Sequence, residues 1–456
     1  MTTSPAAEAA LPPALVVIGG GRTMPHARDL RLDAAARDAL LATLPAAPRV
    51  LAGRDGDDTL RDAYLAKHPA SRWQAFDDID ALHALNGPFD LIVLGQGLDP
   101  FADPAALLQA LRRRAHPQTT LALNLAQDTS LELLQRFVEA DLTDSDEGLL
   151  AGRPLRHRSL ASATKCLMDA GWMPALADAC WREPRSDAVA RHALALAAAI
   201  GVPAATAQRQ WRMQRAIVHA SAAFDASPVT APRRANFAVV VPTNRDAQLR
   251  VNVECSPGLR EVDARVISVR RAATAADALA RAIEHVHEDW VLLCHQDVYF
   301  ARSFGARLAA LLDAVPAAER ARTLIGFAGI GVDAATQAYQ HAGFVIDRSS
   351  RFDNPASDAV VSIDELALVL PRESLLAIDP ALGWHLWATD LCLQAICRHK
   401  FFPRIVRAPL FHNSHTDHQL PAAFHASAAT LAAKYPDFGP IHTLCGVIDD
   451  RRTSSR

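Results

Sequence analysis

Short apolar runs and longer stretches of helical spacing alternate along this chain of 456 residues. In the first part the runs fall at Ala14 to Ile18, Arg49 to Leu51, Phe89 to Leu94 and Thr120 to Leu125, with helical spacing such as Pro104 to Arg114 between them. That alternation predicts a parallel sheet covered by helices, an α/β arrangement. From Asp187 to about Ala226 the spacing, RHALALAAAIG and then TAQRQWRMQRAIVHASAAF, predicts helix. SPVTAPRR (227 to 234) supplies prolines and no apolar period, so a boundary is expected there. The strand pattern restarts with FAVVV (237 to 241), ARVISV (264 to 269), WVLLC (290 to 294), TLIGFAGI (323 to 330) and a run around Val360 to Leu370. Helical spacing covers Ala275 to His287 and Phe304 to Val315. Three regions follow: an α/β unit over 1–186, a helical connector and linker over 187–234, and a second α/β unit over 235–450.

Composition narrows the partners. Half of the residues are hydrophobic and 21% are charged, the balance of a globular protein able to bury sizeable cores. With 47 basic against 50 acidic residues and a net charge of −3, no global basic field draws in nucleic acid, and any phosphate binding is local. The first residues lack a positive n-region and carry Glu8 and two adjacent prolines, so they do not read as a signal peptide. The most apolar helical stretch, His192 to Ala205, is broken by Gly201 and Pro203 and is shorter than the roughly 20 residues of a membrane span. No span is expected. Seven cysteines without a Cys-X-X-Cys pair fit neither a disulfide framework nor a zinc ribbon, and are expected as reduced thiols in a cytoplasmic protein. Gly19-Gly20-Gly21 follows the first apolar run without the Lys-Ser of a phosphate loop.

Ligands of open α/β sheets bind beyond the carboxyl ends of strands, which directs attention to the residues after each apolar run. His295-Gln296-Asp297 leaves WVLLC directly, so an imidazole and a carboxylate two residues apart can face one crevice. One carboxylate together with substrate oxygens is a common way to hold Mg²⁺ or Mn²⁺. The alternative is a strand-end pair that caps the next helix.

FAVVVPTNRD, WVLLCHQDVYF, VSIDELALVLPRE, GWHLWATDLCLQA and APLFHNSH, in this order, resemble a family 2 glycosyltransferase of the streptomycin-biosynthesis-like branch, from Ala235 to Leu444. The resemblance implies a GT-A fold and an inverting, metal-dependent transfer from a nucleoside diphosphate sugar donor to a hydroxyl acceptor, either a glycan, a lipid-linked saccharide or a small molecule. It implies Mn²⁺ or Mg²⁺ as cofactor. Pro242, Thr243 and Asn244 match the first-strand loop that contacts the nucleotide. His295 stands in place of the first acid of the family's Asp-X-Asp motif, and Asp297 is the retained metal-binding acid. His412 matches a downstream histidine that serves as a metal ligand, while His415 and His418 fall on a polar loop and are not expected to form a separate zinc site. Asp390 is the implied catalytic base, with a structural helix carboxylate as the alternative. Many members carry an acid where this chain has Ala388, so His385, Asp364 and Glu365 stand in reserve. Trp384 and Trp387 are either core aromatics or a stacking platform.

In the first half, FDLIVLGQGLDPFAD with PAALLQALRRRAHPQTTLALNLA resembles the second half of a class I methyltransferase fold, and LRHRSLASATKCLMDAGW its late segment, over Arg49 to Trp172. The family's glycine-rich loop is here LAGRDGD, where Gly53 and Gly56 remain and Arg54, Asp55 and Asp57 bring bulky side chains. Asp77, after Phe76, partly matches the acid that holds the cofactor's ribose. A degenerate, Rossmann-like scaffold without cofactor is the expectation. Two alternatives to the glycosyltransferase stay open: a non-catalytic nucleotide- or glycan-binding protein, and an S-adenosylmethionine-dependent methyltransferase working through the first half.

Overall fold

The computed structural model describes residues 34–53, 58–98, 100–127, 131, 159–184, 186–222, 234–415 and 419–449. The expected strand at Ala14 to Ile18, the Gly19-Gly20-Gly21 run, Arg54 to Asp57 and His418 lie outside them.

The chain is a mixed α/β protein. Its first sheet holds β1 (Arg49–Gly53), β2 (Arg72–Phe76), β3 (Phe89–Leu94), β4 (Ala115–Ala126), β5 (Met173–Trp181) and β6 (Met213–Ser221), in the order β2-β1-β3-β4-β6-β5. The first four strands are parallel, and β6 runs antiparallel to both of its neighbours. Helix starts are set locally: the side chains of Asp103, Ser159 and Asp187 accept from backbone N–H groups of the first turn.

Strand β6 corrects the expectation of helix throughout 187 to 226. Helices Ala188–Ala199 and Ala204–Arg212 do form, but Met213–Ser221 is inserted between β4 and β5. Ala216, Val218 and Ala220 pack into the core on one face of the sheet and Ile217 into the core on the other. A strand buried on both faces lacks the alternation that distinguishes strand from helix. The segment expected as a helical connector therefore also supplies a strand to the first sheet.

A second six-stranded sheet, in the order β17-β11-β16-β9-β7-β8, is built from β7 (Phe237–Thr243), β8 (Val266–Arg270), β9 (Trp290–Cys294), β11 (Ile325–Gly326), β16 (Ala367–Pro371) and β17 (Arg404–Ile405). A third joins β10 (Val298–Phe300), β18 (Leu410–His412), β13 (Tyr339–Asp347), β12 (Ala328–Val332) and β15 (Val360–Ile363) in that order, with β14 (Ser350–Asp353) beside β13. β19 (Ile441–Thr443) and β20 (Gly446–Ile448) form a hairpin. Gly343 lets β13 pass close to β12: its φ is +96°, and a Cβ there would lie 1.9 Å from the Phe327 carbonyl oxygen. Only glycine fits such a contact. Among the described residues no helix is long and apolar enough to cross a membrane.

Candidate metal and acid–base centre

Backbone register assembles the centre. All five residues of β9 are buried, and the strand ends at His295, whose N–H donates to the Leu366 carbonyl at 2.9 Å. Asp297 leads directly into β10, where Val298 pairs with His412 of β18. β18 in turn runs parallel to β13, with His412 opposite Asp347. Three strand ends thus meet, and ligand atoms of His295, Asp297 and His412 all lie within 4.8 Å of one another.

His412 is held from both sides. Its Nδ1 lies 3.0 Å from Asp347 Oδ1 and its Nε2 lies 3.5 Å from Asp297 Oδ1. Asp347 is itself paired with Arg348, whose Nη1 donates to Oδ2 at 2.7 Å. Burial alone would lower the His412 pKa, but Asp297 and Asp347 outweigh it and push it up to about 10. Burial likewise opposes ionisation of Asp297, yet His412 and His295 hold that carboxyl well below the usual range. Without a metal the centre is an imidazolium between two carboxylates. His412 would hold a metal through Nε2 once that nitrogen had lost its proton, with Asp347 keeping the hydrogen bond at Nδ1, the outer-shell arrangement typical of ligating histidines.

Two of the three converging groups are imidazoles. Such a set suits late first-row transition ions, whereas Mg²⁺ takes oxygen ligands. The expectation of Mn²⁺ or Mg²⁺ as cofactor is thus at odds with the donor set.

Asp364 and His385 lie close enough to His295 to act on it electrostatically. Glu365 accepts backbone N–H groups of Leu386 and Ala388, and its Oε1 is buried without a hydrogen-bond partner. Burial first, and the neighbouring Asp364 second, push the Glu365 carboxyl up to about 8. At neutral pH it therefore holds a proton. The reserve residues His385, Asp364 and Glu365 come together here, and Asp390 does not.

Asp390 is fully buried and accepts from Gln394 Nε2 at 2.7 Å, Tyr435 Oη at 2.7 Å and Lys434 Nζ at 2.9 Å. No hydrogen bond or ion pair among the described residues links it to His295, Asp297 or His412. The loop of Pro242, Thr243 and Asn244 is occupied by the chain itself. Gln296 Oε1 accepts from Thr243 Oγ1 at 2.7 Å and from the N–H groups of Asn244 and Arg245, while its amide donates to Asn244 Oδ1. Trp387 is core, whereas Trp384 stays exposed beside His385. His415 meets Gln248 and stands outside the three-residue cluster. Asp347 was not singled out in the sequence; its only signal is an acid at the end of the run AGFVI.

In the first sheet a Cβ on Gly53 would lie 3.1 Å from Leu94, 3.5 Å from Phe101 and 3.7 Å from Phe76. The two phenylalanine rings stack at 6.0 Å. These side chains pack beside the end of β1.

No family model matches the chain, and no curated protein matches it. Among solved structures it is similar to a mitomycin 7-O-methyltransferase, with 12% identity and a TM-score of 0.26, over 41% of this chain and 53% of that one. Human N-acetylserotonin methyltransferase in complex with SAM matches at 12% identity and a TM-score of 0.25, over 41% and 51%. Precorrin-6y C5,15-methyltransferase from Geobacter metallireducens matches at 13% identity and a TM-score of 0.23, over 43% and 93%. The chain spans about half the length of the first two. Nothing in the comparisons supports a glycosyltransferase half. The glycosyltransferase activity, its nucleoside diphosphate sugar donor and hydroxyl acceptor, and the Mn²⁺ or Mg²⁺ cofactor are accordingly corrected: the matched structures are methyltransferases.

Proposed function

We propose that the working site of this chain is a transition-metal centre in its second half, serving metal-assisted acid–base chemistry. The observation that carries it is the convergence of His295, Asp297 and His412, with Asp347 fixing the tautomer of His412. Zn²⁺, Co²⁺, Ni²⁺ or Fe²⁺ suits this donor set, and three protein ligands leave a position open. When bound, such an ion supplies Lewis acidity to an oxygen of its ligand. The protein's own part is proton handling: Glu365, whose carboxyl is pushed up to about 8 by burial, is the proton donor. Asp390 is read as a structural carboxylate. The test is thermal unfolding with Zn²⁺ or Co²⁺ against EDTA, since an ion that binds the folded state raises its stability. A melting temperature raised by Zn²⁺ in the wild-type protein and not in Asp297→Ala supports the reading; equal curves overturn it.

A second reading, S-adenosylmethionine-dependent methyl transfer by the first half, draws on Asp77, which follows β2 at the carboxyl edge of the parallel strands. Calorimetry with S-adenosylmethionine decides: a one-site isotherm favours this reading, and no heat at about 100 micromolar, a concentration that detects ordinary affinity, removes it.

A further inference from the structure

The third sheet is a wall with two uses. Tyr299, Phe411 and Ile346 lie side by side in register across β10, β18 and β13, and the next row is Val298, His412 and Asp347. Successive residues of a strand point to opposite faces. The row of Tyr299, Phe411 and Ile346 packs in one buried cluster with Met168 and Met173 of the first half, whereas the adjacent row carries the ligand His412 and its partner Asp347.

Polar contacts fasten the first half onto that outer row. Asp169, the last residue of helix Leu160–Asp169, accepts from Tyr299 Oη at 2.7 Å and from the Arg302 N–H at 3.3 Å. Lys165, one turn earlier, sits 5.0 Å from the centre of the Tyr299 ring and donates to the Val251 carbonyl. Leu176 N–H donates to the Ser349 carbonyl at 2.9 Å, and Arg351 reaches Met173 and Ser221. Tyr299 is thus held by the first half two residues from Asp297, on the strand that sets the Asp297–His412 separation.

We infer that the methyltransferase-like half acts as the mould of the metal centre, with Asp169 as a positioning residue that fixes Tyr299 and through it Asp297 and His412. This rests on the metal centre proposed above. A metal site demands its ligands within a few tenths of an ångström, so a strand free to shift loses affinity even where the ligands themselves are intact.

The experiment measures Co²⁺ affinity by competition with a chromophoric chelator, together with the visible spectrum of the Co²⁺ protein. The wild-type protein is compared with Asp169→Ala, Tyr299→Phe, the double variant and Asp169→Asn. Tyr299→Phe keeps the buried ring and so keeps the fold. We expect Asp169→Ala and Tyr299→Phe each to weaken Co²⁺ at least about tenfold, the scale of losing an outer-shell partner. The double variant should be no weaker than the weaker single one, because both changes remove one contact. Asp169→Asn, which keeps an acceptor for Tyr299 Oη, should recover most of the affinity. Unchanged affinity and spectrum in the single variants overturn the inference while leaving the metal centre standing. No Co²⁺ binding by the wild-type protein removes both.

Discussion

Asp347 Oδ1 lies 3.0 Å from Nδ1 of His412, on the far side of the imidazole from Asp297. This contact makes Nε2 the nitrogen available to a metal. Asp347→Ala should therefore weaken Zn²⁺ or Co²⁺ binding about 10- to 100-fold, the usual effect of removing a carboxylate behind a ligating histidine. Chelator competition checks it, and an unchanged affinity would show that Asp347 only balances charge.

Asp390 should behave as a stability residue. Three side chains, one of them Lys434, point at a carboxylate that water does not reach. Asp390→Ala leaves Lys434 paired with Asp379 alone and takes the acceptor away from Tyr435 Oη and Gln394 Nε2, at a cost of about 1 to 3 kcal/mol. Urea unfolding should report that loss, while metal affinity of the folded fraction stays at the wild-type value. A stable Asp390→Ala protein that no longer binds metal would return Asp390 to the site.

The Asp169 carboxyl gives the fold a pH dependence. Burial raises its pKa from 3.8 to about 6, against the opposing hydrogen bonds from Tyr299 and Arg302. The folded state then holds this proton more tightly than the unfolded chain, so stability is full below the unfolded pKa and is lost as pH rises through about 6. Two units correspond to about 2 to 3 kcal/mol. In EDTA, wild-type stability relative to Asp169→Asn should fall by that amount between about pH 4 and about pH 7. Parallel curves for the two proteins would show that Asp169 titrates normally.

The carboxyl pair should be separable from metal binding. Glu365→Gln keeps shape and acceptor but removes the proton that the buried acid exchanges near pH 8. Metal affinity is expected to stay within about threefold of wild type, because Glu365 is outside the ligand set. A loss of binding as large as that of Asp297→Ala would make Glu365 a ligand.

The parts of this centre that were legible in the sequence share one property. His295 directly follows β9, Asp297 comes two residues later and His412 ends β18, so all three sit at strand ends, where α/β sheets expose functional groups. Asp347 satisfies the same condition but gains its meaning only from the parallel register of β13 and β18, which no local pattern encodes. The surroundings of Asp390 were hidden for the converse reason. Its partners Lys434 and Tyr435 lie 44 and 45 residues further on, so its burial was invisible from the helix that carries it. Strand β6 was lost to helix because Ala216, Ile217, Val218 and Ala220 are buried across both faces, which blurs the strand alternation. The glycosyltransferase expectation rested on short motifs, and those motifs are strand ends of a common α/β pattern that unrelated activities share.

The central claim is that His295, Asp297 and His412 bind one transition-metal ion. The direct measurement is elemental analysis of the protein after incubation with excess Zn²⁺ and gel filtration, alongside the double variant Asp297→Ala/His412→Ala. The account predicts about one equivalent of Zn²⁺ retained by the wild-type protein and close to none by the variant, as expected for a site built from three protein ligands. Equal Zn²⁺ content in the two proteins, or none in either, would contradict it.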